Sequence, residues 1–120
     1  MPSLELRTNV PVKDAKAFIQ DFSQFAATLL GKPLAYIAAS YTYNETLAWN
    51  GTFEPAFLLN IVSLDNINPE ANEKYSKELF QYFEEKLGIT GSRGYISFHD
   101  PGRAYLGHKG TTFSAIFGGK

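Results

Sequence analysis

A strand, an amphipathic helix, a glycine and a second strand are written out twice within 120 residues, and this repeat limits the fold more than any other feature of the chain. In the first copy Ser3 to Thr8 alternates, with Leu4 and Leu6 on one face and Glu5 and Arg7 on the other, which predicts a half-buried strand ended by Asn9-Val10-Pro11. From Lys13 to Leu30, Phe18, Phe22, Phe25 and Leu29 recur at helical spacing, and Ile19, Ala26 and Leu30 widen that stripe. Gly31 suits the position after a helix, and Pro33 cannot continue one. Tyr36 to Tyr43 is rich in aromatic and β-branched residues and predicts a strand. In the second copy Ala56 to Ser63 is a strand with apolar residues on both faces. Asn68-Pro69-Glu70 opens a helix, with Asn as N-cap and Pro in the first turn. Tyr75, Leu79, Phe83 and Leu87 form its stripe, Gly88 ends it, and Tyr95-Ile96-Ser97-Phe98 closes the unit. The copies align: Phe18 with Tyr75, Phe22 with Leu79, Phe25 with Tyr82, Leu30-Gly31 with Leu87-Gly88, and, after a two-residue offset, Tyr36-Ile37 with Tyr95-Ile96.

A strand–helix–strand unit in one sheet makes a right-handed parallel crossover. Two such units, residues 2–43 and 56–99, predict an α+β two-layer sandwich: a four-stranded sheet with both helices on one face, in a single domain spanning residues 1–120. The other sheet face is then bare. Because the third strand is apolar on both sides, that face is expected to be covered by other subunits. Thr112 to Phe117 reads as a further strand that pairs with a neighbour's sheet edge, inside a tail over residues 114–120 that Gly118-Gly119 makes loose. Leu47 to Thr52 carries Asn50-Gly51, a tight-turn signal, and reads as an exposed hairpin rather than a loop at a pocket.

With 12 acidic against 11 basic residues, the chain has no electrostatic footprint for nucleic acid or an anionic membrane. Its longest strongly apolar stretch, Ala56 to Val62, is too short to span a bilayer, and Met1 to Thr8 lacks the regions of a signal peptide. The absence of cysteine excludes disulfides, thiolate metal sites and thiol redox chemistry, and fits a cytoplasmic protein. The sequons at Asn44 and Asn50 are then expected to be unused. Ten Phe, seven Tyr and one Trp are many for so short a chain, so either the core is aromatic or some rings face a ligand or partner.

Pro2 directly follows Met1. Removal of the methionine leaves the proline nitrogen as a secondary amine with a free lone pair. An α-amino group titrates at roughly 7.7–8.0, and burial lowers that value. Such a group can serve as a general base at neutral pH without a histidine. The plainer alternative, that Pro2 only follows a start codon, is outweighed by the residues around it.

Those residues are Met1-Pro2, Thr8-Asn9-Val10-Pro11, Gly31-Lys32-Pro33 with Tyr36-Ile37-Ala38, Glu54-Pro55-Ala56, Tyr75-Ser76-Lys77, Arg93 with Tyr95-Ile96, Asp100, Leu106-Gly107 and Thr112-Phe113. Together they resemble the macrophage migration inhibitory factor family, which includes D-dopachrome tautomerase, over nearly the whole chain. The resemblance implies a tautomerase-superfamily fold and a homotrimer whose three sheets line a central barrel. It also implies an isomerase that interconverts keto and enol forms of small aromatic α-keto acids, phenylpyruvate- or dopachrome-like, without a cofactor or metal. By the same resemblance Pro2 is the catalytic base and Lys32 lies near the substrate carboxylate. Leu64 stands at a position whose backbone contributes to substrate binding, and Tyr95 is supplied by a neighbouring subunit. Tyr36 and Phe113 form the pocket rim.

Three departures stand out. Ser97 replaces a common Asn that donates to substrate, and serine can still donate. His108 replaces a rim Trp, and Ala56-Phe57-Leu58-Leu59 replaces a Cys-x-x-Cys, so thiol oxidoreductase activity is not expected. The alternative to an enzyme is a cytokine-like signalling protein that keeps the pocket as a relic, is released without a signal peptide and binds a protein receptor. Dehalogenation or hydration is disfavoured, because only Lys32 supplies a clear charged group near Pro2.

Overall fold

The computed structural model describes residues 1–119. Four strands, β1 (Ser3–Thr8), β2 (Ala38–Tyr43), β3 (Phe57–Val62) and β4 (Gly94–His99), form one sheet in the order β2-β1-β3-β4. Two long helices, α1 (Ala15–Leu30) and α2 (Pro69–Leu87), connect the paired strands. β1 and β2 are parallel, β3 and β4 are parallel, and β1 and β3 run antiparallel with Ser3 opposite Val62 and Thr8 opposite Phe57. The two parallel crossovers and the α+β architecture match the repeat in the sequence.

Period-two alternation sets the core. Leu4 and Leu6 of β1 and Phe57, Leu59 and Ile61 of β3 point to the helix side and are buried, packed with Phe22, Ala26, Leu79, Tyr82 and Phe83. Gly94 pairs with Phe57 at the start of β4, and a Cβ there would stand 2.1 Å from the Phe57 ring. Only glycine lets the ring lie across the sheet at that point. Both helices begin on side-chain caps: Asp14 accepts from the Ala17 amide and Asn68 from the Ala71 amide, at 3.0 and 2.9 Å. Asn68→Ala is expected to lower stability by about 1 kcal/mol, read as a lower urea midpoint at unchanged slope.

The open sheet face differs from the sequence-based expectation. Leu58 and Val62 of β3 do point to it, but they are half-buried, and Asn60 between them is exposed. Around them stand Glu5, Arg7, Ser40, Thr42, Tyr95 and Ser97, so the face is mixed rather than apolar. A central strand is shaded by its neighbours, and its own hydrophobicity does not describe the face it shares with them.

Two local assignments also change. Tyr36 lies in a 3-10 turn, Leu34–Tyr36, because Pro33 and Leu34 carbonyls accept from the Tyr36 and Ile37 amides, and β2 starts only at Ala38. Of Thr112 to Phe117 only Thr112 is strand, as the second residue of β6 (Thr111–Thr112), which pairs with β5 (Gly107–His108) as a hairpin within the chain. Phe113–Phe117 is a short helix, α3. The Thr112 side chain caps it, accepting from the Ala115 amide, and the helical turn stacks Phe113 on Phe117. The segment expected to be loose carries tethers: Arg103 Nη1 donates to the Gly118 carbonyl at 2.8 Å and Ser114 Oγ to the Gly119 carbonyl at 2.7 Å. Lys120, its last residue, lies outside the described residues. At the Asn50-Gly51 turn both residues have positive φ, 54° and 72°, which closes a hairpin through the Trp49–Thr52 bridge and lays Trp49 against Tyr95, ring centres 4.4 Å apart.

Candidate active site

Pro2 sits one residue before β1, and its carbonyl accepts from the Ala38 amide at 3.0 Å, which extends the β1–β2 ladder. Its ring is fully buried. It forms the floor of a cleft of about 310 Å³ whose walls include Met1, Tyr36, Ala38, Leu106, His108 and Phe113. With Met1 attached, the Pro2 nitrogen is an amide and the titratable amine belongs to Met1. That amine is lowered from 8.0 to about 6, first by burial and then by the charge of Lys32, with Asp65 acting in the opposite direction. The start of β1 is therefore a place where a chain-end amine is mostly neutral at physiological pH.

Lys32 is aimed by the end of α1. Gly31 takes the left-handed conformation, φ 66°, and the Lys32 amide returns to the Ala27 carbonyl at 3.0 Å. The Lys32 ammonium donates to the Leu64 carbonyl at 3.2 Å. Leu64 is buried, and its turn is pinned on both sides. The Ser63 amide donates to the His99 carbonyl, while Asn66 accepts from Ser63 Oγ and donates from Nδ2 to the Leu30 carbonyl. Lys32, Leu64 and the chain-end amine thus meet at one end of the sheet. Phe113, buried at the first position of α3, stacks between His108 at 5.3 Å and Phe117 at 5.4 Å and forms the opposite wall. Tyr36 is part-exposed on the rim.

Tyr95 and Ser97 are elsewhere in the chain. Both lie on the open sheet face, and neither lines the Pro2 cleft. Tyr95 pairs through Leu58 with Arg7, and Ser97 through Asn60 with Glu5. At about 3.3 Å per residue and about 4.8 Å per strand, their backbones stand roughly 19 and 14 Å from Pro2. No rotamer of one chain spans that gap. Of the seven expected site residues, Pro2, Tyr36 and Phe113 line the cleft, Lys32 meets the Leu64 carbonyl and acts on the chain-end amine beside it, and Tyr95 and Ser97 lie apart.

Sequence reading missed Asp65, Asn66 and Arg103. Asp65 follows Leu64 with φ 71°, a backbone region uncommon for residues other than glycine, and its amide donates to Asp100 Oδ2 at 2.9 Å. Arg103 closes on the Asp65 carboxylate at 2.9 Å. Neither residue forms a recognisable spacing in sequence, because 38 residues separate them. Among the described residues, no group of three or more His, Cys, Asp or Glu side chains is arranged to hold a metal ion, and no helix is long and apolar enough to cross a membrane.

A family model described as macrophage migration inhibitory factor (MIF) matches residues 1–114. A macrophage migration inhibitory factor homolog from Trichuris trichiura is 34% identical over 114 residues, covering 94% of this chain and 100% of the relative. Macrophage migration inhibitory factor of Rattus norvegicus is 32% identical over 115 residues, 95% of this chain and 100% of the relative. Among solved structures, the factor from Trichinella spiralis superposes with a TM-score of 0.86 at 31% identity, over 92% of this chain and 99% of that one. The homologue from Prochlorococcus marinus gives 0.85 at 29% identity, over 92% and 98%. The match runs through the Pro2 cleft, the Lys32 turn and Phe113 alike, and the chain belongs to the macrophage migration inhibitory factor family.

Proposed function

We propose that the chain, freed of Met1, is a keto–enol tautomerase for small aromatic α-keto acids with Pro2 as its general base. The observation that carries this reading is a cleft with an aromatic wall and Pro2 on its floor, at the start of β1, where burial and Lys32 lower the chain-end amine, that of Met1, to about 6, so that it is mostly neutral at pH 7. The Pro2 nitrogen takes the proton from the carbon next to the keto group. The electron pair moves to the carbonyl oxygen, which takes a proton back from the Pro2 ammonium, directly or through water, to give the enol and regenerate the neutral amine, and the reverse sequence gives the ketone. Lys32 binds the substrate carboxylate, the Leu64 backbone shapes the same end, and Phe113 with Tyr36 packs the ring. The distance of Tyr95 and Ser97 from Pro2 supports a homotrimer in which a neighbouring subunit brings these two side chains to the cleft as donors. Sedimentation is expected to find a species of three times the 13.4 kDa chain mass at micromolar concentration, and a stable monomer would sink that part of the reading. The test of activity is phenylpyruvate enolisation by the mature protein. A trimer with Pro2 exposed as the N-terminus and no such activity supports the alternative, a cytokine-like protein acting through a receptor, which the names of the relatives favour.

A further inference from the structure

We infer that Arg103 is a positioning residue of the cleft: its guanidinium ties α3, which carries Phe113, to the Leu64-Asp65 turn, which receives Lys32, and occupies the Asp65 carboxylate while doing so. The inference rests on the proposed reaction for its kinetic readout, and for its titration readout only on the loss of Met1 and the charges of Lys32 and Asp65 around the amine.

All parts of the guanidinium are used. Nε and Nη2 both reach Asp65 Oδ2, at 3.0 and 2.9 Å. Nη1 donates to the Gly118 carbonyl at 2.8 Å, and the central guanidinium carbon lies 5.7 Å from the Phe117 ring centre, over the ring. From Phe117 the stack continues to Phe113 and then to His108 on the cleft wall. On the other side, Asp65 directly follows the Leu64 carbonyl that accepts from Lys32. One side chain therefore joins the aromatic wall to the carboxylate end of the cleft. A lysine could supply the charge but not the fork, because its single ammonium cannot hold an acid, a carbonyl and a ring at once.

The second half concerns charge. Around the chain-end amine stand Lys32, which disfavours its cation, and Asp65, which favours it. His108 and Tyr36 are the other titratable groups lining the cleft. Pairing with Arg103 offsets the Asp65 carboxylate and so keeps the amine neutral. Asp65 holds its left-handed backbone between two such anchors, Arg103 on its side chain and Asp100 on its amide.

The experiment uses the full mature chain with an isotope-labelled Pro2 nitrogen, titrated by NMR, alongside phenylpyruvate kinetics. Arg103→Gln is expected to raise the amine pKa by about half a unit, because Asp65 is no longer offset. In the Asp65→Asn background the same substitution is expected to leave the titration unmoved. Arg103→Lys is expected to hold the titration near the native one, and both Arg103 variants to raise KM about tenfold through the loosened wall. A titration shift by Arg103→Gln that persists undiminished with Asp65→Asn overturns the inference, as does a titration or a KM that neither Arg103 variant changes. If the native protein turns over no aromatic α-keto acid, the proposed reaction fails, and the titration series alone decides for or against Arg103.

Discussion

Pro2→Gly is expected to lower tautomerase activity by about 10²–10⁴-fold, the contribution of a positioned general base. Glycine at the mature N-terminus is still an amine, but a primary one without a ring to fix the direction of its lone pair. The Pro2 ring is fully buried, so the fold also loses packing, at a cost of about 1–2 kcal/mol that circular dichroism in urea would register separately. A second protein that retains Met1 separates the two effects. Its ring stays packed, its Pro2 nitrogen is an amide, and it is expected to be equally inactive. The sign of the pH dependence follows from the base being the neutral form. Activity rises with pH as the amine loses its proton, and the midpoint falls below the ordinary α-amino value because burial and Lys32 both disfavour the cation, as they do for the Met1 amine at about 6. The measurement is ketonisation rate against pH, with mass spectrometry to establish that Met1 is gone. Undiminished activity in the Met1-retaining protein would exclude Pro2 as the base.

Lys32→Ala is expected to weaken binding of carboxylated substrates about ten- to a hundredfold, the loss of one charge-assisted contact, while methyl esters are little affected. Equal losses for acid and ester would remove Lys32 as the carboxylate anchor. The geometry adds a second consequence. Lys32 is also, after burial, the second cause that lowers the chain-end amine, so its removal is expected to move the pH profile upward even for the ester. The Lys32 ammonium now donates to the Leu64 carbonyl, and a substrate carboxylate would share it with that acceptor. Ser97→Ala is expected to cost less than Lys32→Ala, because a neutral donor contributes only about 0.5–1.5 kcal/mol.

The residues that signal the family divide into two groups in space. At the far end of the sheet from Pro2, they brace backbone. Thr8 Oγ1 donates to the Ala56 carbonyl, Asn9 Nδ2 to the Leu47, Phe53 and Glu54 carbonyls, and Arg93 to the carbonyls of Pro55 and Glu54. At the near end, Lys32, Tyr36, Asp100, Leu106 and Phe113 surround or support the cleft. A motif read along the chain does not distinguish a brace from a binding residue, since both demand a particular side chain at a particular place.

The sequence by itself determined the repeat, the parallel crossovers, the Asn68 cap, the glycines that end both helices and the inward face of β1, because each depends on neighbours within a few residues or on an alternation the chain displays directly. It also marked Pro2, Lys32, Leu64, Tyr36 and Phe113 by local pattern and resemblance. Only the tertiary structure decided that β3's outer face is mixed, since that face is assembled from four strands. Tertiary structure also turned Phe113–Phe117 from strand to helix, where stacking on His108 and the Thr112 cap outweigh β-propensity. It separated Tyr95 and Ser97 from Pro2, and it joined Arg103 to Asp65 across 38 residues. Contacts of that kind depend on where the whole chain brings two points together, and no short window of sequence contains both.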